Sequence, residues 1–221
     1  MIAAVEYNSS TAWPGMICDK IYVSGNPFMV VPAWAINPEL YKGKFSSLYR
    51  ISSSSSYEHI RYITGGEPFH HYIEEFINKL HRTIHCPIRI DTDGAYPFRL
   101  KTLLETDQVS HVGLRLWYPS QRYKLHKAFP VEAIQESLKI VQQFPSSEIV
   151  IPYDPNYTMI ETIEEALDWN DNVVVKVLNS NSARVGTVYG KNNSYILADE
   201  IAKLTAIVES LANKTQTIEV I

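Results

Sequence analysis

Short runs rich in Ile, Val and Leu recur along this chain between segments of helical periodicity, and that alternation constrains its fold more than any other feature. The runs lie at 20–23, 59–63, 87–91, 111–116, 148–151, 173–177 and 217–220. Most are rich in Ile, Val or Leu, as strands covered on both faces are. Parallel neighbours need a crossover between them, usually a helix, and the intervening segments supply the pattern. Ile73, Phe76, Ile77 and Leu80 stand at i, i+3, i+4 and i+7 within a helix expected over 71–83. Similar stripes occupy 97–105, 131–143, 158–169 and 194–212, the last aligning Ile196, Leu197, Ile201, Leu204, Ile207, Val208 and Leu211. The expected fold class is α/β, built on a parallel sheet with crossover helices.

Composition narrows the class. At 221 residues, 45% hydrophobic and 20% charged, with no evident linker or internal repeat, residues 1–221 read as one domain with an ample core. A net charge of −4 gives no global pull toward nucleic acid. The start MIAAVEYNSSTAW lacks a cationic leader, and no window approaches the roughly eighteen apolar residues of a membrane span, so the expected location is cytoplasmic. The two cysteines, Cys18 and Cys86, fit neither a disulfide framework nor a zinc site, and each reads as a small buried hydrophobe. Neighbouring His70 and His71 diverge on a helix. His81 and His85 are spaced to share a metal only if the helix runs past them, which Pro87 argues against, so no metal site is expected. No G-x-S-x-G elbow or P-loop occurs.

The most distinctive string is Thr64-Gly65-Gly66-Glu67-Pro68, directly after an apolar run. It reads as a strand-end turn in which the glycines allow positive φ and close backbone approach, and Pro68 fixes the turn into the next helix. Glu67 and the turn's free carbonyls suit a cationic amine. The alternative is that the glycines serve backbone geometry alone. Two segments break the rhythm: 24–44, rich in aromatics and prolines without a period, reads as a long loop, and the five serines at 52–56 read as a solvated connection.

Several landmarks then occur in one order: Trp13-Pro14-Gly15, Asn37-Pro38-Glu39-Leu40, the TGGEP string, Asp91-Thr92-Asp93-Gly94 with Pro97 and Leu100, Val112 to Pro119 before Tyr123, and Glu136-Ser137. With these, residues 9–152 resemble a radical S-adenosylmethionine (SAM) protein, particularly the activating enzymes of anaerobic ribonucleotide reductase and pyruvate formate-lyase. The resemblance implies a partial (β/α)6 TIM-like barrel with its site at the C-terminal strand ends. It also implies that Thr64, Gly65, Gly66, Glu67, Asp91 and Asp93 are the remnant of a ligand pocket, in which Gly65, Gly66 and Glu67 contact the SAM amino group.

The family holds a 4Fe–4S cluster through three cysteines in its first loop. Counted back from Asn37, those positions here are Phe28, Pro32 and Ala35, within the degenerate segment 24–44. None ligates iron, and two cysteines in the whole chain exclude a self-contained three-thiolate site. Where relatives read D-x-K before a proline, this chain has Arg115 and Trp117, and Val150 replaces an arginine two positions after Glu148. Without a cluster, reductive SAM cleavage has no electron source. The expectation is therefore a pseudoenzyme without an iron–sulfur cluster or other cofactor, acting as a binding protein on a macromolecular partner, as a homodimer or complex subunit. The alternative is a cluster-independent enzyme or sensor that binds SAM or a nucleotide in the retained pocket. Arg115, Trp117, Tyr118, Arg122, Tyr123, Lys124 and Lys127 mix cations with aromatics, which suits either a ribonucleoprotein contact or an ordinary barrel rim. The apolar stretch 27–34 suits either a plug in the vacated cavity or a dimer surface.

Overall fold

Strands β1 (Ile2–Trp13), β2 (Met16–Val23), β3 (Ile60–Gly65), β4 (Ile88–Thr92), β5 (His111–Arg115), β6 (Ser147–Tyr153), β7 (Asn172–Val177) and β8 (Thr217–Val220) form one sheet in sequential order. The computed structural model describes residues 2–13, 16–25, 60–117, 130–153, 160–169, 172–177, 202–203, 205–207, 209–210 and 217–220. β1 pairs antiparallel with β2, and every later neighbour is parallel. The α/β class read from the alternation is what the structure has.

Helices α1 (Ile73–Ile84), α2 (Pro97–Leu104), α3 (Val131–Gln143) and α4 (Ile160–Trp169) lie between successive strands, and helical backbone recurs among 202–210. A sheet whose order never reverses winds its right-handed crossovers one way, which puts the helices on one face. The core agrees. Ile21, Val23, Ile63, Ile88, Ile90, Val112, Leu114, Ile149 and Ile151 pack with Ile73, Ile77 and Leu80 of α1, Leu100 and Leu103 of α2, Leu138 and Val141 of α3, and Ile163 of α4. The alternate positions belong to the opposite face. There the strands carry Tyr62, Arg89, Asp91, His111, Arg115 and Glu148, all buried.

Strand β1 departs from expectation. Its Asn-Ser-Ser-Thr centre has no strand-like pattern, yet β1 pairs with β2 from Ile2↔Val23 to Trp13↔Met16, with register shifts on the way. Asn8 takes φ 56°, and its amide donates to the Asp19 carboxylate at 3.0 Å. Helix α1 starts later than its apolar period suggests. Pro68–His70 first makes one 3-10 turn, capped by the Glu67 side chain, and His71 is extended. At the other end His85 sits in the left-handed region (φ 52°) and stops the helix. Cys18 and Cys86 are both buried, as small hydrophobes are. No helix among the described residues is long and apolar enough to cross a membrane.

Candidate functional site

The TGGEP turn closes β3 at the C-terminal end of the sheet, where it meets the ends of β2, β4 and β5. Gly65 has φ 101°, a conformation that favours glycine. Gly66 is needed for a close approach, but to the chain itself. A methyl there would lie 2.2 Å from the Gly25 carbonyl oxygen, just past β2. Gly66 N–H donates to Val23 O and Glu67 N–H to Gly25 O, each at 2.8 Å, so the turn is stitched to the end of β2.

Glu67 is fully buried. Its Oε1 accepts from Phe69 N–H at 3.0 Å and Thr92 Oγ1–H at 2.8 Å, and its Oε2 accepts from Asp93 N–H at 2.6 Å. The carboxylate thus caps its own 3-10 turn and clamps the turn after β4. Burial, then the neighbouring Asp93 carboxylate, push its pKa up to about 7 against the opposing pull of Arg115 and these hydrogen bonds. Thr92 Oγ1 also accepts from Gly94 N–H at 3.1 Å, and Gly94 O accepts from Ser137 Oγ–H at 2.8 Å on α3. Gly94, at φ 77°, leaves no room for a side chain against Leu114 and Ser137.

The carbonyls of the glycine pair are taken by an arginine about fifty residues away in sequence. Arg115 NH1 donates to Gly65 O at 2.5 Å and NH2 to Gly66 O at 2.7 Å, and its Nε lies 2.8 Å from Asp93 Oδ1. Trp117 Nε1–H donates to the same Asp93 oxygen at 2.9 Å. The two terminal nitrogens are hydrogen-bonded to the carbonyl pair, while Nε stands at ion-pair distance from Asp93 without an aligned hydrogen bond. Burial by itself lowers the Arg115 pKa, but Asp93, Glu67, Asp91 and Tyr62 overcome it and hold the group above its usual value. Val150 faces Arg115 across the β5–β6 pair.

One layer below runs a second buried network. Arg89 donates through Nε to Asp91 Oδ1 at 3.1 Å and through NH2 to Glu148, while Tyr62 Oη–H donates to Asp91. The Arg89 guanidinium also sits 4.8 Å from the Tyr62 ring centroid. His111 lies beyond, its Nε2 3.4 Å from Glu148 and its Nδ1 2.9 Å from Ser146 Oγ. Burial, then Asp91, raise the Tyr62 pKa above its ordinary value. For Arg89 burial acts downward, and Asp91, Tyr62 and Glu148 together more than reverse it. Gly113 makes the packing feasible, since a methyl there would meet Asp91 Oδ1 at 2.4 Å.

The structure therefore brings Gly65, Gly66, Glu67, Asp93, Arg115 and Trp117 into one cluster, with Asp91 in the layer below and Thr64 half-buried opposite Tyr22. Arg115, grouped with a basic rim by its sequence neighbours, is instead 5% exposed and faces inward. The reason is register, because a strand residue beside Val150 and Asp93 points across the sheet face and not outward. Phe28, Pro32 and Ala35, with Tyr118, Arg122, Tyr123, Lys124 and Lys127, lie outside the described residues. Sequence reasoning missed Tyr62, Arg89, His111 and Glu148. Their signal was the period-two polar pattern Arg89-x-Asp91-x-Asp93 and His111-x-Gly113-x-Arg115 inside runs read as covered on both faces. His71 Nε2 lies 2.5 Å from Ser24 O, and the His81 and His85 rings meet edge to face with centroids 5.9 Å apart, His85 standing past the end of the helix that carries His81. Among the described residues no group of three His, Cys, Asp or Glu is placed to hold a metal ion.

No protein-family model and no curated protein matches the chain. Among solved structures it is similar to archaeal TYW1, at 17% sequence identity and a TM-score of 0.48, over 71% of this chain and 63% of that one. The chain thus spans less than two thirds of that protein's length.

Proposed function

We propose that this chain is a non-catalytic protein of the radical-SAM type, a single domain with a partial (β/α)6 barrel that acts by binding a macromolecular partner as a homodimer or complex subunit. One observation carries the reading: the polar groups of the TGGEP turn are consumed within the chain. Glu67 accepts three internal hydrogen bonds, and the Gly65 and Gly66 carbonyls receive Arg115. A ligand amine on these carbonyls would have to evict a buried guanidinium and remove the cation beside the Asp93 carboxylate, which is costly. The residues do not fit a three-thiolate cluster either, because the sequence holds two cysteines and both are buried away from the turn, in β2 and after α1. The second reading, polar binding of SAM or a nucleotide, requires Arg115 to move.

Calorimetry with SAM and with its demethylated product separates the two, and no heat is expected from either. Micromolar SAM binding that disappears in Glu67→Ala overturns the proposal, as does anaerobic reconstitution of a stoichiometric cluster that cleaves SAM. Light scattering reads the homodimer directly. Affinity capture with and without nuclease distinguishes a protein partner from a ribonucleoprotein.

A further inference from the structure

The cluster at the strand ends has the groups of a cation site, two carbonyls and a carboxylate, and its occupant belongs to the chain. Two carbonyls, Gly65 O and Gly66 O, and one carboxylate, Asp93, converge on the three nitrogens of a single guanidinium at 2.5, 2.7 and 2.8 Å. None of these acceptors depends on Arg115 for its position. The carbonyls are fixed by the amides of Gly66 and Glu67 bonding to Val23 and Gly25, and by the contact of Gly66 with Gly25. Asp93 is fixed through its own amide on Glu67 and through Trp117 Nε1–H on its carboxylate. Asp93 and Glu67, both buried, each favour the charged form of Arg115, Asp93 the more strongly, so the surroundings suit a cation in charge as well as spacing.

We propose that Arg115 is an intramolecular ligand that closes a preformed site for a small planar cation of the guanidinium class, and that removing its side chain opens that site. This rests on the reading that the turn is self-occupied. Arg115→Ala deletes the guanidinium and leaves Gly65 O, Gly66 O and Asp93 facing a space of its shape. A lysine at 115 returns the charge as a point on a flexible stem and cannot span the three acceptors. Arg115→Lys therefore keeps the site shut to a second cation without restoring the fork.

Methylguanidinium is the probe, with methylurea as its uncharged counterpart of the same shape. By calorimetry and thermal shift at low millimolar concentration, Arg115→Ala is expected to bind methylguanidinium saturably and at least about ten-fold more tightly than wild type. Methylurea is expected to fail, and Arg115→Ala combined with Asp93→Asn to lose the binding. If Arg115→Ala does not fold alone, recovery of native circular dichroism on adding methylguanidinium, but not methylurea, is the same result. A folded Arg115→Ala that binds nothing overturns the proposal. So does wild type binding methylguanidinium equally well, equal binding of methylurea, or an unfolded variant that methylguanidinium does not rescue. SAM binding by wild type is a separate result, which defeats the proposed function whatever the variant does.

Discussion

Arg89 and Ile90 are neighbours in β4, both at 0% exposure, and they face opposite ways. Ile90 enters the apolar core under the helices, where burial is favourable in itself and neighbours are interchangeable at similar volume. Arg89 enters a face where every buried charge is held by a named partner, Asp91 and Glu148 for Arg89, Asp93 and two carbonyls for Arg115. The first face stabilises the sheet and tolerates approximation. The second gains little net energy from its charges but penalises any wrong arrangement, because a lost partner leaves an uncompensated ion. Such a face specifies register and occupancy, which is why the candidate site is closed by chemistry and not by bulk.

That contrast is most sharply broken by single truncations on the two sides. Arg89→Ala is expected to cost about 3–5 kcal/mol, as removal of one member of a buried ion network does. Ile90→Ala is expected to cost about 2–5 kcal/mol by cavity formation. The distinguishing variant replaces Arg89 by Met, Asp91 by Asn and Glu148 by Gln together. In urea titrations it should be more stable than Arg89→Ala alone, whereas adding a second core truncation to Ile90→Ala only adds loss. A triple variant less stable than Arg89→Ala would mean that the polar face holds the fold as an energy source.

A second test uses pH. The Glu67 carboxyl, ordinarily near 4.5, is raised to about 7 in the folded chain by burial and Asp93. The folded state therefore holds this proton more tightly than the unfolded one. The resulting stabilisation is full below about pH 4.5 and is lost as pH rises through about 7, a change of at most about 3 kcal/mol. Glu67→Gln cannot lose that proton, so its stability relative to wild type should rise across this window. A difference that stays flat with pH would place the shift elsewhere.

The smallest expected effect is at Gly113, where the two faces share one residue's width. Gly113→Ala pushes a methyl toward Asp91 Oδ1 and Val150, and a loss of about 1–3 kcal/mol is expected in urea titration. If Val150→Ala in the same background recovers part of the loss, the crowding is on Val150; no recovery assigns it to the Asp91 carboxylate.

Much of the fold was legible in the chain. The seven expected strand runs lie close to β2 through β8, and α3 spans the expected 131–143, because consecutive apolar runs and 3.6-residue stripes are local signals. Strand β1 was not, since its polar centre is held by pairing with β2 and by Asp19, which no local pattern announces. In the site, the turn at 64–68 is legible from its glycines, and of the two readings open for them, ligand approach and backbone geometry, Gly66 fits the second, with Gly25 as its close neighbour. The ladder from Tyr62 to His111 was hidden because runs rich in Ile, Val and Leu read as covered by apolar groups on both faces, whereas one face carries polar residues at period two.

The sequence by itself determined the alternation that makes a parallel sheet, the conformation of the TGGEP turn, and the absence of three thiolates. Only the tertiary structure decided what the turn holds. Gly65 and Arg115 meet because crossovers set the register of three successive strands and bring the ends of β3 and β5 within hydrogen-bond reach over the end of β4. A contact that depends on cumulative register is a property of the assembled sheet, and no local spacing in the chain encodes it.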